Sequence, residues 1–195
     1  NGVLFTVVVL LILAISTPSS VLAGPGRTGA QILNLGGGTR AAALGDAFSA
    51  VNGDVTTAFW NPSGLGKMQE TQAAISYTDY SQLFGDASEG LYYAFLAGAL
   101  PLGDAGTLGT TLQLQGQGTI LVTTDSPEPI REENLGTNWA WTVSYADELA
   151  KGLLAGISGK VISMKLGPEG GRAYAVDLGV QYDLPNVPIP IKVGA

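Results

Sequence analysis

From Gln72 onward the chain alternates with a period of two. In "TQAAISYTDY", Ala73, Ile75 and Tyr77 share one face, while Gln72, Ser76 and Thr78 share the other. In "LGTTLQLQGQ", Leu108, Leu112 and Leu114 lie with Thr110, opposite Thr111, Gln113, Gln115 and Gln117. "NWAWTVSYA" sets Trp139, Trp141, Val143 and Tyr145 against Asn138, Ala140, Thr142, Ser144 and Ala146. "AYAVDLGVQYD" sets Tyr174, Val176, Leu178, Val180 and Tyr182 against Ala175, Asp177, Gly179, Gln181 and Asp183. Such alternation predicts strands, each with one apolar and one polar face. Segments 91–100 and 153–165 also read as strands, the first apolar on both faces. The expectation is six strands and the start of a seventh at "IPIKVGA", joined by hairpin-length connections.

Two architectures alternate in this way. A soluble sandwich turns one face of each sheet to the core and one to water, and it normally carries charges on the wet face. A transmembrane barrel turns apolar residues outward and polar ones inward, with aromatics at both interfaces. Here the polar face holds Thr, Ser, Gln, Gly and Ala, with few charges. Tyr174 and Tyr182 stand eight residues apart on one face, ~20 Å along a membrane normal for a strand tilted about 40°. Trp139 and Tyr145 are placed similarly on their strand. Connections near 80–90, 124–137 and 167–172 hold Asp86, Glu89, Asp125, Glu128, Glu132, Glu133 and Glu169, whereas "PLGDAG", "DELAKG" and "LPNVPIP" are short. Long acidic loops alternating with short turns match an outer-membrane barrel. The expected fold class is therefore all-β, an antiparallel transmembrane β-barrel preceded by a short helical N-terminal plug. Closure requires an even strand count of about eight or more in bacterial barrels. Residues 71–195 are thus expected to form the N-terminal half of a larger barrel, or a share of one completed by several copies.

The N-terminal region adds an address. Val3 to Ile15 is a run of 13 apolar residues, the size of a signal-peptide core and shorter than the roughly 20 residues of a spanning helix. "STPSS" follows, then Val21-Leu22-Ala23, with small residues placed for cleavage between Ala23 and Gly24. Residues 1–23 are read as a signal peptide, and the bacterial outer membrane as the destination. The chain begins at Asn1 rather than Met and stops within a strand pattern, and it is expected to be truncated at both ends.

Composition narrows the chemistry. There is no Cys, which excludes disulfides, thiolate metal sites and a lipid-anchored Cys at the cleavage site. There is no His, which removes the commonest acid–base group and metal ligand. A net charge of −7 argues against nucleic acid as a partner. With 28 Gly and a mean hydropathy of +0.27, the chain suits a protein that shows an apolar face to lipid. No carboxylates form an acid–base pair at readable spacing. The expectation is a non-enzyme with no cofactor and no metal.

Between these regions lies "LNLGGGTRAAALGDAFSAV", residues 33–51. Gly36, Gly38 and Ala41 fit the spacing of a dinucleotide-binding loop, with Asp54 18 residues after Gly36. That fingerprint needs a preceding strand and a parallel βαβ unit, and antiparallel hairpins follow here instead. The structural alternative is a compact plug over residues 24–70. In it Thr39 caps a short helix through Ala50, and small residues let the backbone lie close to a wall. Asn61-Pro62 predicts an extended Asn61, and Gly64 and Gly66 loosen the chain ahead of the first strand.

"GGTRAAALGDAFSAVNGDVTTAFWNPSGLGKM" resembles the N-terminal signature of the PorV/PorQ family, relatives of the FadL-like outer-membrane transporters. Gly38, Arg40, Gly45, Ala47, Phe48, Trp60, Asn61, Pro62 and Gly64 fill the family's Gly-x-Arg-x-x-x-x-Gly-x-Ala-Phe and Trp-Asn-Pro-x-Gly places. Asp46 stands where the family commonly has Gly, and Ser63 where it has Ala. The resemblance covers about 30 residues, and the later strands fit it more loosely. It implies a barrel of about fourteen strands with an N-terminal hatch. It also implies either type IX-like secretion, binding C-terminal signals of exported proteins, or uptake of hydrophobic small molecules. Outer-membrane lipid is the expected surrounding partner. Candidate plug residues are Arg40, Asp46, Trp60 and Asn61. Candidate lumen residues are Lys160 and Asp177, whose inward placement avoids roughly 2–4 kcal/mol for a charge facing lipid. They read first as solvated lumen charges, and the functional alternative is an ion pair that holds the plug or lines a path together with Arg40.

Overall fold

The computed structural model describes residues 29–81, 90–122, 131–184 and 189–195. The expected signal peptide, with its Ala23/Gly24 junction, lies outside them, as do Asp86, Glu89, Asp125 and Glu128. Among the described residues nine strands form: β1 (Gln72–Asp79), β2 (Leu91–Pro101), β3 (Thr107–Gln117), β4 (Thr119–Val122), β5 (Arg131–Asn134), β6 (Thr137–Ala150), β7 (Leu153–Leu166), β8 (Glu169–Asp183) and β9 (Lys192–Gly194). Seven of them build one antiparallel sheet in the order β1-β2-β3-β6-β7-β8-β9, and β4 and β5 form a separate two-stranded ribbon. The large sheet curls into a half-barrel without closing, with β1 and β9 at its edges.

The meander follows from its turns. Lys151-Gly152 and Gly167-Pro168 connect long strands in two residues each, with Gly152 at φ 81 and Gly167 at φ 59. A two-residue hairpin needs positive φ, and Gly supplies it without steric cost. The expected acidic loop over 167–172 is therefore replaced by a tight turn, and Glu169 opens β8. Within the expected 124–137 loop, Glu132 and Glu133 lie on β5, where Arg131 Nη2 pairs with Glu133 Oε2 at 3.0 Å.

The segment before β1 covers one face of the sheet. It contains a 3-10 turn at Gln31–Leu35, helix α1 (Thr39–Ala43), helix α2 (Thr57–Trp60) and a 3-10 turn at Pro62–Lys67. Helix α1 is shorter than the expected run to Ala50, and Gly38 rather than Thr39 occupies the cap. Gly45 (φ 64) and Asp46 (φ 63) both adopt left-handed backbone, which ends the helix. Asp tolerates that conformation better than most residues, which suits it to position 46.

The core lies between this segment and the sheet. Ile32, Phe59 and Leu65 from the segment meet Phe95, Ala97, Ala140 and Ile162 from the wall. We call the covered face inner. Its remaining positions are largely polar and buried: Thr111, Gln113, Thr142, Ser144, Ser158 and Gln181. The opposite face is bare and apolar. Leu108, Tyr145, Ile157 and Leu178 form one cross-strand row there, and all four are exposed. Tyr174 on that face is 76% exposed, whereas Tyr182, in register with Leu153 and Val193, is buried.

Candidate functional site

The most heavily bonded point of the segment is Asn61. Preceding a proline, it is held extended at φ −154 and ψ 106, and Pro62 then opens the 3-10 turn. Its Oδ1 accepts from Ser63 N at 3.1 Å and Ser63 Oγ at 2.6 Å. Its Nδ2 donates among three carbonyls, Ser49 O at 2.8 Å, Ala195 O at 3.3 Å and Val180 O at 3.4 Å. One buried amide thus ties the turn to the segment's own loop, to β8 and to the chain after β9. Asn61 is a docking residue.

Strand glycines make the docking possible. Gly156 and Gly179 are cross-strand partners on the inner face. A Cβ at Gly156 would lie 2.5 Å from Pro62 C and Ser63 N, and one at Gly179 would overlap Asn61 Oδ1. At Gly109, on the same face, a Cβ would meet Leu65 Cδ1 at 2.5 Å. Pro62, Ser63 and Leu65 can approach the wall only because those positions lack side chains. At the edge of this contact Lys67 pairs with Asp183.

Toward the other end of the segment, polar wall residues grip its backbone. Gln113 Nε2 donates to Ile32 O at 3.3 Å, Gly36 O at 3.2 Å and Tyr93 Oη at 2.7 Å, and the Tyr93 hydroxyl itself donates to Gly36 O. Gln181 Nε2 reaches Ser49 O at 2.8 Å and Val51 O at 2.7 Å. Thr111 and Thr142, cross-strand partners, bury hydroxyls that meet no hydrogen-bond partner among the described residues.

Lys160 and Asp177 both point to the inner face and pair with each other, Nζ to Oδ2 at 2.7 Å. Ser158 Oγ also donates to that oxygen at 3.1 Å. The Lys160 ammonium lies 5.2 Å from the centre of the Phe59 ring, so the pair sits under α2. The carboxylate and the ring face together favour the charged ammonium at this buried position.

Arg40 does not join them. It pairs with Asp54, Nη1 to Oδ2 at 2.7 Å, and lies 5.8 Å from the Phe48 ring centre. Asp54 Oδ1 accepts from Thr56 N at 2.8 Å and Thr56 Oγ1 at 2.6 Å, capping the turn into α2. Burial pushes the Asp54 carboxyl up, but the hydrogen bonds from Thr56 and Arg40 outweigh it and hold the group below the usual Asp value. The candidate ribose acid of a dinucleotide fingerprint is therefore engaged within the segment, and the sheet beside it is antiparallel throughout. Trp60 donates from Nε1 to Gly37 O at 2.8 Å and stands edge-on to Phe59 at 5.1 Å, which joins the Gly-rich bend to α2. Asp46 contributes its backbone: its N–H donates to Ala41 O at 2.9 Å and its carbonyl accepts from Phe48 N at 2.8 Å.

The sequence reading missed Tyr93, Gln113, Gln181 and the wall glycines. Parity held the signal, since Gly109, Gly156 and Gly179 share the inward phase with Thr111, Ser158 and Asp177. Among the described residues, no group of three or more acidic side chains is placed to hold a metal ion. No protein-family model matches this chain, and no curated protein matches it.

Proposed function

We propose that this chain is part of an outer-membrane β-barrel of the PorV/PorQ type, with residues before β1 acting as its plug, in transport or type IX-like protein secretion. The observation that carries the reading is the inversion of the sheet. On one face large apolar side chains such as Ile75, Leu108, Trp141, Ile157 and Leu178 are exposed, while polar side chains of the other face, among them Thr111, Gln113, Thr142, Ser158 and Gln181, are buried under the segment. Among the described residues, charged residues of the bare face's phase stand near strand ends, at Asp79, Asp147, Lys165 and Arg172. A β-sandwich would cover the apolar face with a second sheet, and the described residues place none there. Lipid covers it instead, and burying it recovers roughly 25 cal/mol for each Å² removed from water. The polar inner wall suits a hydrated lumen once the sheet is completed. The likeness around "WNPSG" supports the family assignment, because Asn61 and Pro62 there perform the docking.

The complete mature protein is expected to require detergent for extraction and to shift in gel mobility on heating. A protein that stays soluble without detergent and shows no such shift would sink the proposal. Co-purifying material separates the two roles: a bound exported protein supports secretion, and a bound lipid-like molecule supports FadL-like uptake.

A further inference from the structure

The inner-wall glycines Gly109, Gly156 and Gly179 are explained by what packs on them, but Gly159, on the other face, is not. It lies in the middle of β7, on the bare face, in register with Val143 on β6 and Val176 on β8. Its φ is outside the left-handed region, and a Cβ placed on it would meet nothing within 4 Å. Glycine inside a strand weakens it, so neither backbone geometry nor close packing accounts for its presence. Its effect is on shape. The missing side chain opens a depression of about 360 Å³ lined by Leu108, Val143, Tyr145, Ile157, Gly159 and Val176.

The lining specifies the occupant. Ser144 and Ser158 also border the depression, but their hydroxyls are bonded on the inner side, to Ala58 O and Asp177 Oδ2. The Tyr145 hydroxyl donates to Ala105 O at 3.1 Å. No side-chain donor or charge of the lining is left for a ligand, and the lone pairs of the Tyr145 hydroxyl are the one acceptor that remains beside otherwise apolar walls, which suits an occupant without polar groups. We propose that the Gly159 notch seats one hydrocarbon chain of a membrane lipid, holding it longer than the rest of the bare face does. This rests on the membrane reading above and adds a preferred lipid position to it.

The test uses the complete protein in bilayer discs of phosphatidylethanolamine and phosphatidylglycerol, doped with a phospholipid carrying a mid-chain diazirine. After illumination, labelled peptides are mapped by mass spectrometry. Val143, Ile157 and Val176 are expected to label severalfold more than Tyr77 and Leu112 on the same face. Gly159→Leu, which fills the notch, removes that excess and leaves Tyr77 unchanged. Val143→Phe, which narrows it from the side, does the same should Gly159→Leu fail to assemble, as judged by heat-shifted mobility. Even labelling over the bare face overturns the notch and leaves the membrane reading standing. Labelling everywhere except the notch also overturns it, since a protein partner then covers the site. A bare face that takes no label at all overturns the membrane reading, and the notch with it.

Discussion

Gly179 on β8 lies directly against Asn61: a methyl group on that glycine would overlap the Asn61 Oδ1 atom. On its cross-strand partner Gly156, a methyl group would lie 2.5 Å from the backbone of Pro62 and Ser63. The two differ in what must yield, a side-chain amide in one case and main chain in the other. Gly156→Ala is therefore expected to cost more than Gly179→Ala, with both in the range of about 1–3 kcal/mol for overpacking. Limited proteolysis of the segment before β1 in the assembled protein checks this, with faster cleavage in the Gly156 variant. Equal resistance to wild type would show that the segment does not depend on these contacts.

Asn61 makes a different demand, because its amide serves donors and acceptors at once. Asn61→Asp keeps the acceptor for Ser63 but turns a second oxygen toward three carbonyls, Ser49 O, Val180 O and Ala195 O. Asn61→Ala removes both functions and leaves those groups short of partners. Each is expected to destabilise docking by about 1–3 kcal/mol, with Asp at the higher end because its charge is buried. Thermal melting of the detergent-extracted protein reads the order. Asp melting above Ala would contradict it.

The Lys160–Asp177 pair predicts an asymmetry. Lys160 is 8% exposed, whereas the Asp177 side chain is 37% exposed. Asp177→Asn leaves the ammonium buried with only the Phe59 ring and neutral oxygens near it. Lys160→Met leaves a carboxylate that water reaches, and it keeps an aliphatic stem near Phe59. Asp177→Asn is expected to be the worse single change, by about 1 kcal/mol after allowing for solvent at Asp177. The double variant Lys160→Met with Asp177→Asn should recover part of that loss. A double-mutant cycle measures it, and simple additivity would mean that the pair is uncoupled.

What the chain disclosed in advance was phase. Although β2 reads as a run apolar on both faces, period-two alternation located β1, β3, β6 and β8, because each has apolar residues on one side and small or polar ones on the other. It could not locate the ribbon of β4 and β5, where "TILV" pairs with "REEN" and neither face is uniformly apolar. Nor could it shorten the turn at Gly167-Pro168, since Glu169 and the glycines after it resemble loop composition as much as strand. Among the candidate residues, inward parity was enough to bring Lys160 and Asp177 to one face. The partner of Arg40 was not legible, because the Arg40–Asp54 contact depends on how the Gly45-Asp46 turn folds the segment back.

That last contact makes the turn into α2 sensitive to acid. Asp54 has its carboxyl held below the ordinary Asp value in the folded chain, by the hydrogen bonds from Thr56 and Arg40 acting against burial. A depressed folded value means that the charged form contributes stability in full above the unfolded value of about 3.9. The contribution is lost as pH falls from there through the folded value, while Arg40 stays charged throughout. Wild type is therefore expected to loosen the cap at Thr56 and release Arg40 only below about pH 4. Asp54→Asn keeps an acceptor for Thr56 but has no charge to lose, so it is less stable at neutral pH and its stability changes less over the acid range. Thermal melting from pH 7 down to about pH 3 compares the two curves, and they should converge as Asp54 is protonated. Parallel curves would mean that the Asp54 charge contributes nothing to the cap.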